Sequence, residues 1–519
     1  MTDRTASTPP AAPTPGPAES PAAPHHADRT ADRTADLSTD LAGIPASLPA
    51  ADPLAPYDAV LLLSYGGPRR PEDVLPFMRN ATAGRGVPDS RLLEVSGHYQ
   101  GFGGASPINA RNAELRDALQ ARLAERGSRL RVVVGNRNWH PFVSQALREL
   151  ADAGARHILA LPTAAFGSYS GCRQYREDLA GAVALLAAGA DGATGDGFEA
   201  DAAARVGGDG GGPVDLTVDK TRPYYNTPGL LEANVDAIVE AYGALAEQGV
   251  AAADARLVLV THSIPLGMEA GSAPSPDSDS AHSVPDVDYP TETGQPGRHS
   301  ADHPGGRSAA LAPAQPAEKR EPGVAADLST EASYVTQHEA LAAVLVPEVA
   351  RRLGLETVEA DLVYCSRSGP PQARWLEPDV NDHLEALAAG HLTDGSPVGR
   401  PGGVVVAPFG FISDHMEVVF DLDTEAAQTA RDLGMPYARA ATVGTHPAFV
   451  DSLIDILIER AGVARGEDVH PASTTGVGPF HTVCPPSCCR SGARHPGHHG
   501  ADDATGEHAA GHQPAMSRP

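Results

Sequence analysis

His262 ends a short apolar run, Leu257-Val-Leu-Val-Thr-His262, and three carboxylates, Glu417, Asp421 and Glu425, recur later at four-residue spacing. That spacing sets the three acids on one face of a helix. Like charges so placed destabilise an isolated helix by about 0.2–0.5 kcal/mol per pair, so the row calls for a cation. An imidazole with carboxylate oxygens suits a borderline divalent metal such as Fe2+ that is held loosely and passed on. A neutral imidazole, with its reference pKa of about 6.5, also serves as a base near pH 7. Plainer readings stand beside this one. A histidine after an apolar strand is more often a packed or capping side chain. Asp414 and Glu417 have the spacing of a helix-capping box, which would leave Asp421 and Glu425 merely solvated.

A second group is sulfur. Cys484-Pro-Pro-Ser-Cys488-Cys489 puts three cysteines within six residues, and Cys172 follows an apolar run far upstream. In a reducing compartment such a cluster binds metal more often than it forms disulfides. Cys172, Cys484, Cys488 and Cys489 make the four-thiolate set of a 2Fe–2S cluster, with zinc as the alternative. Cys365 lies inside an apparent strand and reads as an ordinary buried thiol. The C-terminal histidines His495, His498, His499, His508 and His512 lack helical order and read as a solvated tail.

These groups need elements to position them. Asp58-Ala-Val-Leu-Leu-Leu-Ser64, Leu130-Arg-Val-Val-Val-Gly135, His157-Ile-Leu-Ala-Leu-Pro162, Leu257 to His262, Asp361-Leu-Val-Tyr-Cys365 and Gly403-Val-Val-Val-Ala-Pro408 read as strands buried on both faces. Amphipathic stretches over 108–125, 141–153, 230–248, 338–353 and 448–460 separate them. Such alternation predicts doubly wound α/β layers with parallel sheets. Ligands then bind beyond the carboxyl ends of the strands, where Tyr65, Asn136-Arg137-Asn138, the stretch from Thr163 to Tyr175, His262, Ser366 and Ser413-Asp-His415 fall. No glycine-rich phosphate loop and no G-x-S-x-G elbow stands at these junctions, which disfavours nucleotide and acyl-transfer chemistry.

Composition sets the remaining limits. The chain has 519 residues, 54 Gly, 47 Pro and a formal charge of −27. So acidic a surface repels phosphate backbones and disfavours nucleic acid. No stretch reaches the ~18 apolar residues that span a bilayer, and no signal-peptide core begins the chain. The expectation is a cytoplasmic protein. Residues 1–55 and 490–519 read as disordered tails, and about 184–212 and 272–331 as disordered inserts, for want of apolar residues. The folded remainder divides into 56–245 and 246–489, the second ending in a helix and the cysteine segment.

Tyr65-Gly-Gly-Pro, Phe102-Gly-Gly-Ala-Ser-Pro107, Arg137-Asn-Trp139, Thr261-His-Ser-Ile-Pro265, Ser366-Arg-Ser-Gly-Pro370 with Trp375-Leu-Glu-Pro378, and Ser413-Asp-His-Met-Glu417, in this order, resemble the ferrochelatase family. The resemblance runs from about 56 to 489, outside the two inserts. It implies two Rossmann-like domains with a cleft that holds a tetrapyrrole while Fe2+, the second substrate, is inserted. His262 matches the family histidine that takes the pyrrole protons or holds the iron. Glu417 matches the carboxylate facing it, and Asp421 and Glu425 match an acidic path for the metal. Tyr65 resembles the tyrosine of relatives that metallate coproporphyrin III, in which it approaches the iron from the face opposite the histidine. Ser106 and Tyr175 match positions that hydrogen-bond the propionates. Ala83-Gly84 stand where some relatives carry basic residues, leaving Arg79 and Arg85 as substitutes. The 1 + 3 cysteine arrangement resembles family members with a 2Fe–2S cluster. The implied activity is iron insertion into coproporphyrin III in haem synthesis, with transient contacts to neighbouring haem-pathway enzymes. Protoporphyrin IX is the rival substrate. A haem or iron carrier, or an Fe–S sensor, is the rival class, and a base over the pyrroles argues against a carrier.

Overall fold

The structure, a computed structural model, describes residues 52–189, 212–272, 332–367, 373–484 and 488–490. Both tails read from the sequence, apart from 52–55 and Arg490, and most of both inserts lie outside the described residues.

The first half runs β1 (Ala59–Ser64), α1 (Val74–Ala81), α2 (Asp89–Gly101), α3 (Ile108–Glu125), β2 (Arg131–Asn136), α4 (Val143–Asp152), β3 (His157–Pro162), α5 (Gln174–Ala187), β4 (Thr217–Lys220) and α6 (Pro228–Glu247). The second runs β5 (Ala255–His262), α7 (Leu266–Ala270), α8 (Tyr334–Leu353), β6 (Ala360–Cys365), α9 (Val380–Ala388), β7 (Gly403–Ala407), α10 (Ala427–Asp432), β8 (Tyr437–Arg439) and α11 (Pro447–Ala464). A π-helical turn, Tyr169–Arg173, leads into α5, and a longer π-helical segment, Val418–Ala426, leads into α10.

The strands form two four-stranded parallel sheets, ordered β2-β1-β3-β4 and β6-β5-β7-β8. The two orders are the same pattern, so β1 and β5 are equivalent strands. In each sheet the chain turns back across its first strand, which creates a switch point beside the carboxyl ends of β1 and β5. The expected α/β class with two doubly wound parallel sheets is what the chain adopts. Every residue of β1 is buried, as a strand covered by helices on both faces requires. α3 buries Ile108, Asn112, Leu115, Leu119 and Leu123, one stripe at helical spacing.

One hydrophobic core joins the sheets. It takes Val60 and Leu62 from β1, Leu257 and Leu259 from β5, and the buried faces of α6, α8 and α11. Leu54, within the segment read as a tail, is part of it. Helix α6 packs on α8, α11, β7 and β8, and α11 returns to pack on α3. The 245/246 position falls in the last turn of α6, a helix that itself packs on the second sheet. The buried ion pair of Arg222 with Glu459 on α11 (2.7 and 3.0 Å) fastens the last helix to the first half. α6 and α11 meet at Gly229, where a Cβ would lie 1.8 Å from the Ala448 carbonyl oxygen. Gly229→Ala is accordingly expected to destabilise the fold by about 2–4 kcal/mol. An unchanged urea midpoint would show that this approach is not needed.

Candidate active site

β1 and β5 deliver their carboxyl ends to the two switch points, and with them Tyr65 and His262. Tyr65 begins the turn Tyr65-Gly66-Gly67-Pro68. Gly66 adopts φ +78°, and a Cβ there would stand 2.8 Å from that of Asn136. A Cβ on Gly67 would stand 2.7 Å from that of Ser106. Only glycines let the turn press so closely on its neighbours. Tyr65 remains 39% exposed, braced edge-on by Phe77 at 6.2 Å between centroids.

His262 Nε2 lies 3.5 Å from Glu417 Oε1. Its Nδ1–H donates to the Ser263 carbonyl oxygen, which leaves Nε2 as the acceptor of the neutral ring. The two side chains are 29% and 42% exposed. Burial works against protonation of His262. The Glu417 carboxylate and the Ser263 carbonyl outweigh it and hold the imidazole above its ordinary pKa. Burial likewise opposes ionisation of Glu417, but His262 and then His415 overcome it and take the carboxyl down to about 2. His415 Nδ1 is 3.8 Å from Glu417 Oε2, and burial keeps that ring's pKa low.

The acidic row lies along the π-helical segment. Asp421 accepts a hydrogen bond from the Ser366 hydroxyl and is pushed up to about 7, chiefly by burial, with Glu417 and Glu425 adding their charge. Glu425 is also raised, by burial first. The sequence brings these three together as read, and π-helical widening marks functional segments in other proteins. Asp414 differs from the capping reading. Its Oδ1 accepts from Arg439 and Thr442, both at 3.2 Å, because the helix starts at Met416 and the carboxylate turns to a half-buried guanidinium instead. α2 reaches the same segment, with His98 stacked on Phe420 at 4.1 Å between centroids.

Asp421 carries a pH prediction. A carboxyl with a folded pKa near 7 and an ordinary one near 3.8 keeps its proton in the native state where the unfolded chain has lost it. Metal-free protein should therefore lose stability as pH rises from about 4 to 7, by up to about 4 kcal/mol and less as solvent reaches the acid. Asp421→Asn should flatten that loss in denaturant titrations. A pH dependence identical to the parent's would contradict it.

Behind His262 lies a buried polar chain that the sequence reading missed. Tyr334 donates its hydroxyl proton to the His262 carbonyl oxygen (3.1 Å), and Thr261 Oγ1 lies 2.9 Å from Tyr334 and 2.8 Å from His338 Nε2. Both α8 residues sit far from His262 in sequence, and no spacing signals them. His415 and Ser366 were visible within motifs but carried no assigned role.

Ser106 is 8% exposed; its amide donates to Pro68 and its hydroxyl lies 3.5 Å from the Ile108 amide at the start of α3. Tyr175 is 4% exposed and lies beneath Arg137, with the guanidinium carbon 4.6 Å from its ring centroid. Arg79 is paired with Asp89 at 2.7 Å, while the charge of Arg85 is felt by the Tyr65 phenol.

The four cysteines read as a set converge. Cys172 hydrogen-bonds with Cys484 and Cys489, Cys488 bonds with Cys484, and Cys488 Sγ stands 3.5 Å from Cys489 Sγ, closing a ring of sulfurs. Cys489 holds φ +55°, a strained conformation that the surrounding contacts must impose. Lys220 Nζ donates to Cys172 Sγ at 3.2 Å. Arg173 and Arg176 donate to the Cys488 and Cys484 carbonyls at 3.3 and 3.4 Å. Hydrogen bonds from the neighbouring thiols, then Lys220, draw the Cys172 thiol well below its ordinary range. Cys365 stands apart, 1% exposed, beside Ser366. Among the described residues no group of three or more His, Cys, Asp or Glu side chains is pre-shaped for a metal ion. The sulfurs pack against one another instead. No helix among them is long and apolar enough to cross a membrane.

Two like-ordered parallel sheets, an imidazole–carboxylate pair at one switch point and a phenol at the other define a two-sheet α/β protein. The chain belongs to the ferrochelatase family, whose sequence model, "Ferrochelatase", matches residues 57–461. It is 40% identical over 449 residues to the coproporphyrin III ferrochelatase of Streptomyces coelicolor, covering 86% of this chain and 97% of that one. The corresponding protein of Tropheryma whipplei is 37% identical over 436 residues, covering 84% and 89%. That of Mycolicibacterium smegmatis is 36% identical over 435 residues, covering 83% and 99%. Among solved structures, SirB from Bacillus subtilis with Fe3+ is similar at 10% identity and a TM-score of 0.35, over 79% of this chain and 97% of that chain.

Proposed function

We propose that this chain inserts Fe2+ into coproporphyrin III, forming Fe-coproporphyrin III and releasing two protons, as a step of haem synthesis. The observation that carries it is the His262–Glu417 pair, 3.5 Å apart at the end of β5. Tyr65 directly follows the equivalent strand of the other sheet, and its phenol, raised first by burial, also feels the Glu417 charge. His262 Nε2 accepts a pyrrole proton, and the Glu417 carboxylate stabilises the imidazolium that results. Asp421, poised near pH 7, and Glu425 lead the cation in and the protons out. Tyr65 meets the opposite face of the macrocycle, and Ser106 lies beside its turn. Fe2+ is a substrate here. On this reading the chain works in the cytoplasm, with transient contacts to neighbouring haem-pathway enzymes. Anaerobic Fe2+ offered with coproporphyrin III and with protoporphyrin IX, followed by absorbance, tests the proposal. Faster turnover of coproporphyrin III is expected. Preference for protoporphyrin IX would move the substrate, and tight binding with no turnover on either would favour a carrier.

A 2Fe–2S cluster at Cys172, Cys484, Cys488 and Cys489 belongs to the same reading. The donor set fits, being four soft thiols in contact. So does the charge, because the Lys220 ammonium offsets an anionic cluster. When bound, the cluster would supply four metal–thiolate cross-links between β3's following turn and the C-terminal segment.

A further inference from the structure

Arg137 stands just after β2 with its guanidinium over the Tyr65 ring. Its amide donates to the Ser64 carbonyl at 2.9 Å, which sets it beside the Tyr65 turn, and its side chain is only 7% exposed. The guanidinium carbon lies 5.8 Å from the Tyr65 ring centroid and 4.6 Å from that of Tyr175. Nε is ion-paired with Asp178. Tyr175 and Asp178 stand three residues apart on α5, so one face of that helix supplies both a ring and a carboxylate. A buried guanidinium so engaged has little freedom to extend towards a substrate carboxylate.

We infer that Arg137 is a positioning residue for Tyr65, held in place by Tyr175 and Asp178, and that Tyr175 serves the reaction through this contact. The inference rests on Tyr65 facing the porphyrin. A cation over an aromatic face fixes the ring's placement, and Phe77 limits its swing from the side. The positive charge also eases loss of the phenolic proton, which burial first and Glu417 second oppose. Without Arg137, Tyr65 would be both looser and harder to ionise as the iron arrives.

A double-mutant cycle on the full chain tests this, with coproporphyrin III and anaerobic Fe2+ as substrates. Arg137→Met is expected to lower kcat by about tenfold while KM for the porphyrin changes by less than about threefold. In a Tyr65→Phe background the same substitution should cost less than about twofold, since the two residues act as one unit. Arg137→Lys, which keeps the charge but not the planar fork, should fall between parent and Met. Asp178→Asn should reproduce part of the kcat loss with no effect on KM. Circular dichroism checks folding, and if Arg137→Met does not fold, Arg137→Lys and Asp178→Asn complete the cycle. Additive losses would overturn the inference while leaving the Tyr65 reading intact. So would a tenfold rise in KM at unchanged kcat, the mark of a carboxylate-binding arginine. A silent Tyr65→Phe would overturn both.

Discussion

His262→Ala and Glu417→Gln should each lower iron insertion by about 10^2–10^4-fold, the range typical for loss of a general base, while coproporphyrin III still binds. The porphyrin is held by its faces and carboxylates, whereas the pair acts only at the centre. The two variants fail for different reasons. Alanine removes the atom that accepts the pyrrole proton. Glutamine leaves that atom in place but removes the charge that favours its protonated form. Burial then dominates His262, so its pKa should fall from above 6.5 to below it. Histidine C–H resonances, assigned by difference from His262→Ala, report that shift directly. Porphyrin fluorescence gives binding, and absorbance under anaerobic Fe2+ gives turnover. Near-normal turnover in either variant would remove the pair from the chemistry. A His262 pKa that stayed high in Glu417→Gln would mean another group holds the imidazolium.

Serine at Cys172, Cys484, Cys488 or Cys489 is the second large effect. Each variant should lose its visible absorbance and labile sulfide and unfold more easily, by about 3 kcal/mol or more, because metal-ligand energy at such a site counts as folding energy. Cys172 and the C-terminal three are more than 300 residues apart in sequence, yet one ring of sulfurs joins them. Activity should fall indirectly, since α5 starts beside Cys172 and carries Tyr175. Cys365→Ser should change neither colour nor midpoint, as that thiol lies beside Ser366 and outside the ring. Anaerobic purification with iron, sulfide and zinc analysis decides the metal. A colourless zinc protein would replace the cluster but keep the cross-link. Five freely titrating thiols and no metal would remove both.

The strands were legible because each is buried on both faces and so reads as an unbroken apolar run. β3 spans the residues its pattern marks, β2 is shifted by one residue, and β1, β5, β6 and β7 differ from theirs only by one or two residues at one end. β4 and β8 escaped notice. Thr217–Lys220 and Tyr437–Arg439 are short, polar edge strands whose burial is incomplete, so no periodicity distinguishes them from loop. α5 was likewise missed because its sequence runs straight into the low-complexity stretch that follows. The row Glu417, Asp421 and Glu425 could be read from spacing alone, since helical periodicity is a local property.

What the chain's order of residues determined by itself was local: strand ends, the carboxylate row, the cysteine count and the family motifs. Tertiary structure decided which of these meet. Two sheets wound in the same order place Tyr65 and His262 at equivalent switch points, and no spacing in the sequence encodes that equivalence. Asp414 pairs with Arg439, a partner on the later strand β8 that no local spacing signals. Tyr334 reaches the His262 carbonyl and His338 reaches Thr261, and Tyr175 and Asp178 reach Arg137, only because helices from distant parts of the chain share a core. Burial lifts Asp421 towards 7, whereas at His262 and Glu417 the partner's charge outweighs burial, raising the imidazole's pKa and lowering the carboxyl's. Desolvation and Coulomb interaction depend on distance in space, and distance in space is what a linear sequence leaves open.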